Sequence, residues 1–429
     1  MCDMSRFSKI ALALLLFLFA DIFVSEACTS VIISGKLTED GRPLMWKNRD
    51  APYGQNMAVY IKGAKYDFLG VINPGVKNPR SVWGGVNSEG LCVMNTMSYN
   101  IDIKPVDDDK TITGNGGIQF RLLSNCRDMV EVESYLDSIY GILTPEDLQV
   151  PTGLTTNLGV IDAKGNGAYF ECHSYGYKKY DVNDPKVAPD GYLVRSNYSI
   201  STRPAAEGVG QIRYMEAERQ VRHAIADGRV NVDFILENLA RSFSNPMLGV
   251  DLKSGKYNKP YTNGWYSDQD FITNYLSVSS LIFQGIKEGE SPELTTMWTI
   301  IGYPAAAVCV PVWVKGGEEG IPAMLAADAD RKCQMSGYAE TLRKSVYTFD
   351  LDTEKKNHNK YFNWELLYNL KGDGIMQKVV AKEAEILPKY KRLLDGWRKD
   401  NSVDVAELEK LNKVVDADLA EFYFTEFGF

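Results

Sequence analysis

The stretch Val24-Ser25-Glu26-Ala27-Cys28-Thr29-Ser30 constrains this chain more than any other. Ahead of it lie a basic start at Arg6 and Lys9 and a run, Ile10 to Val24, that is apolar except for Asp21. Small residues at Ser25 and Ala27 complete the pattern of a secretory signal with a signal-peptidase site. Residues 1–27 are therefore expected to leave on export, with the mature chain beginning at Cys28 in the periplasm or outside the cell. The apolar run falls short of the roughly 20 residues that a spanning helix needs, so no stable membrane span is expected. A cysteine at a mature N-terminus carries a thiol and a free amine on one residue. The amine can serve as base for the nucleophile beside it, as it does for an N-terminal threonine. One rival starts from the same bond. A lipoprotein signal would acylate Cys28, block the amine and make the chain a lipid-anchored binding or structural protein. The charged Glu26 fits that signal badly.

The formal net charge of −9 argues against nucleic acid as a partner. The chain is longer than the usual domain limit of about 250 residues, which suits a large sandwich with insertions or a core with an appendage. Oligomeric state is left open, and a homo-oligomer is compatible with the sequence. Cys2 would leave with the signal, and Cys28, Cys92, Cys126, Cys172, Cys309 and Cys333 remain, with no CxxC pair. Cys92, Cys172 and Cys309 lie in apolar, strand-like stretches and read as small core residues. His173, His223 and His358 have no ligand spacing with each other or with a cysteine pair, so neither a metal nor a cofactor is expected. A papain-type Cys-His protease would need His173 or His223, and neither lies in a supporting motif.

Along the chain, β-branched Thr29 to Ser34, Pro43 to Asn48, Met57 to Ile61, Phe68 to Ile72, Ser81 to Val86 and Leu91 to Tyr99 read as strands joined by polar turns. After a polar loop at Lys104 to Gly117, Ile118 to Cys126 and Met129 to Tyr140 have helical spacing. Asn157 to Ile161 and Ala168 to His173 form a hairpin, and Gly191 to Tyr198 is a further strand. Gln211 to Asp227 and Val232 to Phe243 read as helices, Asp251 to Asp270 as an irregular loop, and Leu276 to Gln284 and Thr295 to Val314 as strands. From Phe362 onward the spacing is helical, with Pro388 breaking or starting a segment. Blocks of strands alternating with blocks of helices suggest α+β layers rather than a parallel sheet.

Four places carry a resemblance. Cys28-Thr29-Ser30 opens the first strand. Trp46-Lys47-Asn48-Arg49-Asp50 ends the second, like an Arg-Asn-x-Asp motif. Gly85-Val86-Asn87-Ser88-Glu89-Gly90-Leu91 is similar to a Gly-x-Asn-x-x-Gly-Leu hairpin, and Val194-Arg195-Ser196-Asn197-Tyr198 to a Thr-Asn-x segment followed by an arginine, here Arg213. In this order, directly behind a signal, they resemble the N-terminal-nucleophile (Ntn) hydrolases with a cysteine nucleophile. The branch is that of choloylglycine hydrolases, penicillin V acylases, acid ceramidase and isopenicillin N acyltransferase. The resemblance implies an αββα sandwich of two antiparallel sheets between helix layers. It would occupy residues 28–361, with 362–429 as a helical extension packed on it.

The resemblance also implies roles. Cys28 would attack a carbonyl carbon and Asp50 would hold its amine; the plain alternative for Asp50 is a surface turn. Lys47 stands where the branch has arginine, so either Lys47 or Arg49 would be the cation near the thiol, and a solvated charge is the alternative for each. In a regular strand 47 and 49 share one face and 48 and 50 the other, so the strand must bend or end for both kinds of group to reach Cys28. Asn197 would give a side-chain N–H to the developing oxyanion; Asn197-Tyr198-Ser199 is also a glycosylation sequon, read here as chance. Arg213 would orient the aspartate and nucleophile, or be a helix-start charge. Asn95 and Arg49 are the candidate substrate-binding residues. The implied partner is a small-molecule N-acyl amide, cleaved through a thioester or passed to an amine. The Lys47 departure keeps open an inactive relative with the same fold.

Overall fold

The computed structural model describes residues 28–52, 54–76, 79–101, 114–141, 152–254, 256, 264–268, 270–348 and 361–429. The expected signal lies outside the described residues, as do most of the polar loop 104–117 and part of the loop 251–270. β1 (Cys28–Ile33) and β2 (Leu44–Asp50) form the first hairpin. Then β3 (Met57–Ile61), β4 (Phe68–Ile72), β5 (Gly84–Asn87), β6 (Cys92–Met97), β7 (Thr156–Ile161), β8 (Gly167–His173) and β9 (Gly176–Asp181) pair in chain order into a seven-stranded antiparallel sheet. β10 (Tyr192–Arg195), β11 (Ser277–Gln284), β12 (Thr296–Ile301) and β13 (Val310–Val312) join the first hairpin in a six-stranded antiparallel sheet, ordered β10-β1-β2-β11-β12-β13.

The two sheets pack face to face, β1 and β2 against β6, β7 and β8. Helix α1 (Asn115–Asn125) lies on β5 and β6, and α2 (Met129–Tyr140) follows it. Helix α3 (Gln211–Ala226) lies on β1 and β10. This is the four-layer order expected. It explains why β1 and β2 are buried at every residue: a sheet covers one face and other elements the opposite face, so polar residues there need partners inside the protein. The Asn87 hairpin has its own chemistry. Asn87 Oδ1 accepts from Glu89 N at 3.1 Å and Leu91 N at 3.0 Å, while Nδ2 donates to Leu123 O and Cys126 O at the end of α1. Gly90 closes the turn at φ +77°, where a Cβ would stand 2.8 Å from Thr295 Oγ1.

Several elements differ from expectation. The helix foreseen at Val232 to Phe243 is one short turn, Val232–Phe234, continued by a single π turn, Ile235–Leu239. The edge strand β9 and helix α4 (Gln334–Val346) were not foreseen, although Met335, Ala339, Leu342 and Val346 of α4 have helical spacing. Pro388 neither starts nor stops a helix: α5 (Ile375–Asp400) runs through it. Pro388 and Ala384, whose carbonyl the ring deprives of an intrahelical partner, are both exposed, while Ile386, Leu387 and Tyr390 hold the helix down on its other face.

α5 and α6 (Val405–Phe427) pack against each other and against the sandwich. The boundary expected at 361/362 falls inside a short strand, Tyr361–Asn363, paired with Trp265–Ser267 and Tyr347–Thr348. Trp313 lies against Tyr390 and Trp397, and Tyr423 donates its hydroxyl to Ala306 O at 2.8 Å. The strongest tie is buried. Arg241 Nη1 and Nη2 donate to Glu383 Oε1 and Oε2 at 3.0 and 2.7 Å, and Cys309 N donates to the same carboxylate at 2.7 Å. Arg241→Met should therefore cost about 3–5 kcal/mol in chemical denaturation, because it leaves a carboxylate buried without its cation. Adding Glu383→Gln should recover most of that loss.

Candidate active site

Cys28 opens β1, forms no disulfide and is 5% exposed. In the β1–β2 register it stands opposite Arg49, Thr29 opposite Asn48, and Ser30 opposite Lys47. Directly opposed residues share a face, so Cys28, Ser30, Lys47 and Arg49 form one set and Thr29, Asn48 and Asp50 the other. The first set meets the second sheet. Ser30 Oγ lies 2.7 Å from the Tyr169 hydroxyl of β8, and Lys47 Nζ donates to Asn95 Oδ1 of β6 at 2.9 Å and to Trp83 O at 3.0 Å. The second set meets the outer elements: Thr29 Oγ1 accepts from Arg213 of α3 at 3.0 Å, and Asn48 Nδ2 donates to Ala240 O at 3.1 Å.

The backbone of Cys28 is held at both poles. Its nitrogen donates to Asn197 Oδ1 at 2.7 Å, and its carbonyl accepts from Arg213 Nη1 at 2.7 Å. Arg213 Nη2 also donates to Asn197 Oδ1 at 3.1 Å, and Nε donates to Asp270 Oδ1 at 2.7 Å. Arg213 reaches inward from the first turn of α3 because Gly210 before it takes φ +88°, where a Cβ would sit 2.5 Å from Nη2. Asp270, a site residue that sequence reasoning missed, has φ 59°. Aspartate tolerates that left-handed conformation, but no spacing signal linked it to Arg213.

Asp50 accepts from Ser277 Oγ at 2.6 Å and from Asn274 Nδ2 at 2.9 Å. A bulge in β11 makes this possible: Ser277 stands opposite Asp50 and Ser279 opposite Arg49, with one residue between them unpaired. Burial pushes the Asp50 carboxyl up to about 6, against the pull of Arg213 and of its two hydrogen bonds. Neither Ser277 nor Asn274 was marked in the sequence.

Lys47, Arg49 and Asp50 are each 1% exposed, which overturns the solvated-charge and surface-turn readings; Arg213 does stand at a helix start, but at 0% exposure it points inward to Cys28, Asn197 and Asp270. Arg49 is the cation directly across from Cys28. Its guanidinium lies 4.5 Å from the Trp83 ring centroid, and Nη1 donates to Asn56 Oδ1 at 3.0 Å. Asn95 accepts from Lys47 and from Gln119 Nε2 (3.0 Å) and donates to Thr156 Oγ1 (3.0 Å), so it belongs to a polar cluster around Lys47. Asn197 differs from expectation. Its Nδ2 donates to Met97 O at 2.8 Å, and it is Oδ1 that faces Cys28. Two donors converging on Oδ1 set that orientation. Its sequon is closed in the fold, since Asn197 is 0% exposed. His173 ends β8 with Nδ1 accepting from Tyr175 N, and His223 sits in the last turn of α3; neither joins this cluster. Among the described residues no group of His, Cys, Asp and Glu could hold a metal ion, and no helix is long and apolar enough to cross a membrane.

No protein-family model matches the chain, and no curated protein sequence matches it. Solved structures do. One is a conjugated bile acid hydrolase mutant from Clostridium perfringens, at 12% identity and TM-score 0.42, covering 67% of this chain and 92% of that one. Another is a Caenorhabditis elegans N-acylethanolamine-hydrolyzing acid amidase ortholog, at 15% identity and TM-score 0.37, covering 62% of this chain and 93% of that one. A third is penicillin V acylase from Agrobacterium tumefaciens, at 12% identity and TM-score 0.35, covering 67% of this chain and 86% of that one.

Gly210→Ala tests the arginine's placement. Calorimetry should show a loss of about 1–3 kcal/mol, from the left-handed backbone alone and from the displaced guanidinium besides.

Proposed function

We propose that this chain is an exported cysteine Ntn amidohydrolase that cleaves a linear, non-peptide N-acyl amide through a thioester on Cys28. The observation that carries the reading is the clamp on Cys28, with its nitrogen on Asn197 Oδ1 and its carbonyl on Arg213. A cysteine serving only as core filler needs no buried arginine and asparagine at its two backbone poles. On this reading, removal of residues 1–27 turns the Cys28 nitrogen into an amine. Its ordinary pKa of about 7.7–8.0 lies close to the thiol's of about 8.5, so the two exchange a proton readily.

The thiol proton passes to the amine, and Sγ attacks the amide carbon. Arg49, across the strand pair, and Lys47 favour the thiolate. The oxyanion role of Asn197 falls to the second hydrogen of its amide, beside the one on Met97 O. As the C–N bond breaks, the ammonium returns its proton to the leaving nitrogen, and a free amine departs. Water then attacks the thioester, giving one proton to the Cys28 amine. The C–S bond breaks, and the acid and the restored thiol are left. An entering amine in place of water makes the same site an acyltransferase. Asp50 and Asp270 supply negative charge around Arg213 and the new ammonium.

The direct test is intact mass of the exported chain followed by a screen of N-acyl amides. A chain that starts at Cys28 with a free amine and gains an acyl mass on that residue supports the reading. A chain that starts elsewhere, or whose Cys28 nitrogen carries an acyl chain, removes the mechanism; a diacylglycerol adduct would mark a lipid anchor. Cys28→Ala should lose turnover and keep its melting temperature. Asn197→Ala should turn over about 100-fold more slowly or worse.

The pH profile has a defined sign. Below its pKa Asp50 is neutral and cannot balance the ammonium, so kcat/KM should rise with pH as the carboxylate forms. Burial, offset in part by Arg213 and the two hydrogen bonds, puts that rise at about 6 before the ammonium exists. The ammonium of the mature chain pulls it lower, because an opposite charge favours the carboxylate. Asp50→Asn should abolish this acid limb, and a limb that persists would assign it to another group.

A further inference from the structure

We infer that Asn157, on β7 of the second sheet, is the positioning residue that holds Asn197 against Cys28. The inference rests on the reading of Cys28 as nucleophile and adds to it a residue that touches neither substrate nor reacting atoms. Asn157 is 0% exposed. Its Nδ2 donates to Tyr198 O at 3.0 Å and to Ser196 O at 3.4 Å, the carbonyls on either side of Asn197, and to Thr96 Oγ1 at 3.1 Å. Its Oδ1 accepts from Ser199 Oγ at 2.7 Å. One carboxamide therefore grips the segment 196–199 through three residues.

The grip matters because Asn197 lies beyond any ladder. β10 ends at Arg195, and Asn197 meets Val209 only in an isolated bridge. Its position then depends on its own bonds to Met97 O and Tyr99 N and on what holds its neighbours. Asn157 stands opposite Thr96 in the β6–β7 register and opposite Glu171 in the β7–β8 register, so the three share one face. Glu171 secures the next stretch, accepting from Ile200 N at 2.9 Å, Ser201 N at 2.7 Å and Arg195 Nε at 2.8 Å. The second sheet thus sets where Asn197 Oδ1 sits, 2.7 Å from the Cys28 nitrogen. In the mature chain an acceptor there favours the ammonium, and an ammonium beside the thiol favours the thiolate. An aspartate at 157 would keep the shape and lose the donor, setting a carboxylate against two carbonyl oxygens. The chain also gains a physical use for the sequon: Ser199 serves as the partner of Asn157.

The test uses the mature protein beginning at Cys28, with iodoacetamide as probe. Alkylation of Cys28 is followed by peptide mass between about pH 5 and 9, a range that brackets the thiol and amine. Asn157→Asp and Asn157→Ala should raise the alkylation midpoint of Cys28 by about half a unit or more. They should also lower kcat by about 10-fold or more, with KM moving less than about 3-fold, since the loss is in the chemical step. Ser199→Ala removes one of the contacts and should shift the midpoint the same way by less; it decides the matter if the Asn157 variants do not fold. Asn87→Ala, a buried amide in the remote hairpin of the same sheet, should lose stability and leave the midpoint in place. Folded Asn157 variants with the parent's midpoint and kcat would overturn the inference while a thioester on Cys28 still formed. A parent protein that forms no thioester overturns the nucleophile reading itself.

Discussion

A guanidinium has five N–H donors in one plane and does not give up its charge, so burying one obliges the protein to surround it with acceptors. Arg213 is buried completely, and its acceptors are Asp270, the Cys28 carbonyl, Thr29 Oγ1 and Asn197 Oδ1. Those four belong to a loop, to the first strand and to the segment after β10. The requirement of one side chain thereby ties three separate parts of the chain together at the start of β1. A buried cation with a single partner is expensive; shared among four acceptors, it fixes geometry as well as charge.

The same principle governs the charges around it. Asp50 lies near a cation and accepts two hydrogen bonds, yet burial still wins and its carboxyl is pushed up. Desolvation outweighs pairing there because the carboxylate sits at the end of β2 beneath the β11 bulge, with Ser277 and Asn274 as its hydrogen-bond donors. A carboxyl poised near 6 in an uncleaved chain is one that a new ammonium can ionise. Maturation on this reading changes the charge of the site by one unit at the atom that Asn197 already holds.

Much of this was legible before the structure, where local chemistry spoke. The Asn87 turn is a self-contained motif, and its hairpin stands where Gly85 to Leu91 placed it. Period-two alternation correctly put Lys47 with Arg49 and Asn48 with Asp50. The β1–β2 register, which alternation alone does not give, sets Arg49 and not Lys47 across from Cys28. Asp270, Asn274 and Ser277 were invisible for a different reason. They reach the site only because β2 pairs with β11, strands more than half the chain apart, and because Asp270 takes a left-handed turn. Helical spacing held through Pro388, and the expected break failed because a proline on the wet face removes a bond that solvent can replace. It overran at Val232 to Phe243, where the helix widens into a π turn just before Arg241 goes inward to Glu383.

Asn197 shows how one short motif can satisfy two chemistries that exclude each other. Asn-x-Ser is what a glycosylating enzyme reads on an extended, accessible chain. In the fold the same three residues turn inward: Asn197 bonds Cys28, Arg213 and Met97, and Ser199 bonds Asn157. A glycan on Nδ2 would replace a hydrogen at an atom packed 2.8 Å from Met97 O, in a residue with no exposed surface. The modified chain could not close the clamp. Folding and modification of this segment are therefore alternatives. The hydrogen bonds that aim Asn197 at Cys28 are the same ones that withdraw it from any enzyme acting on the surface.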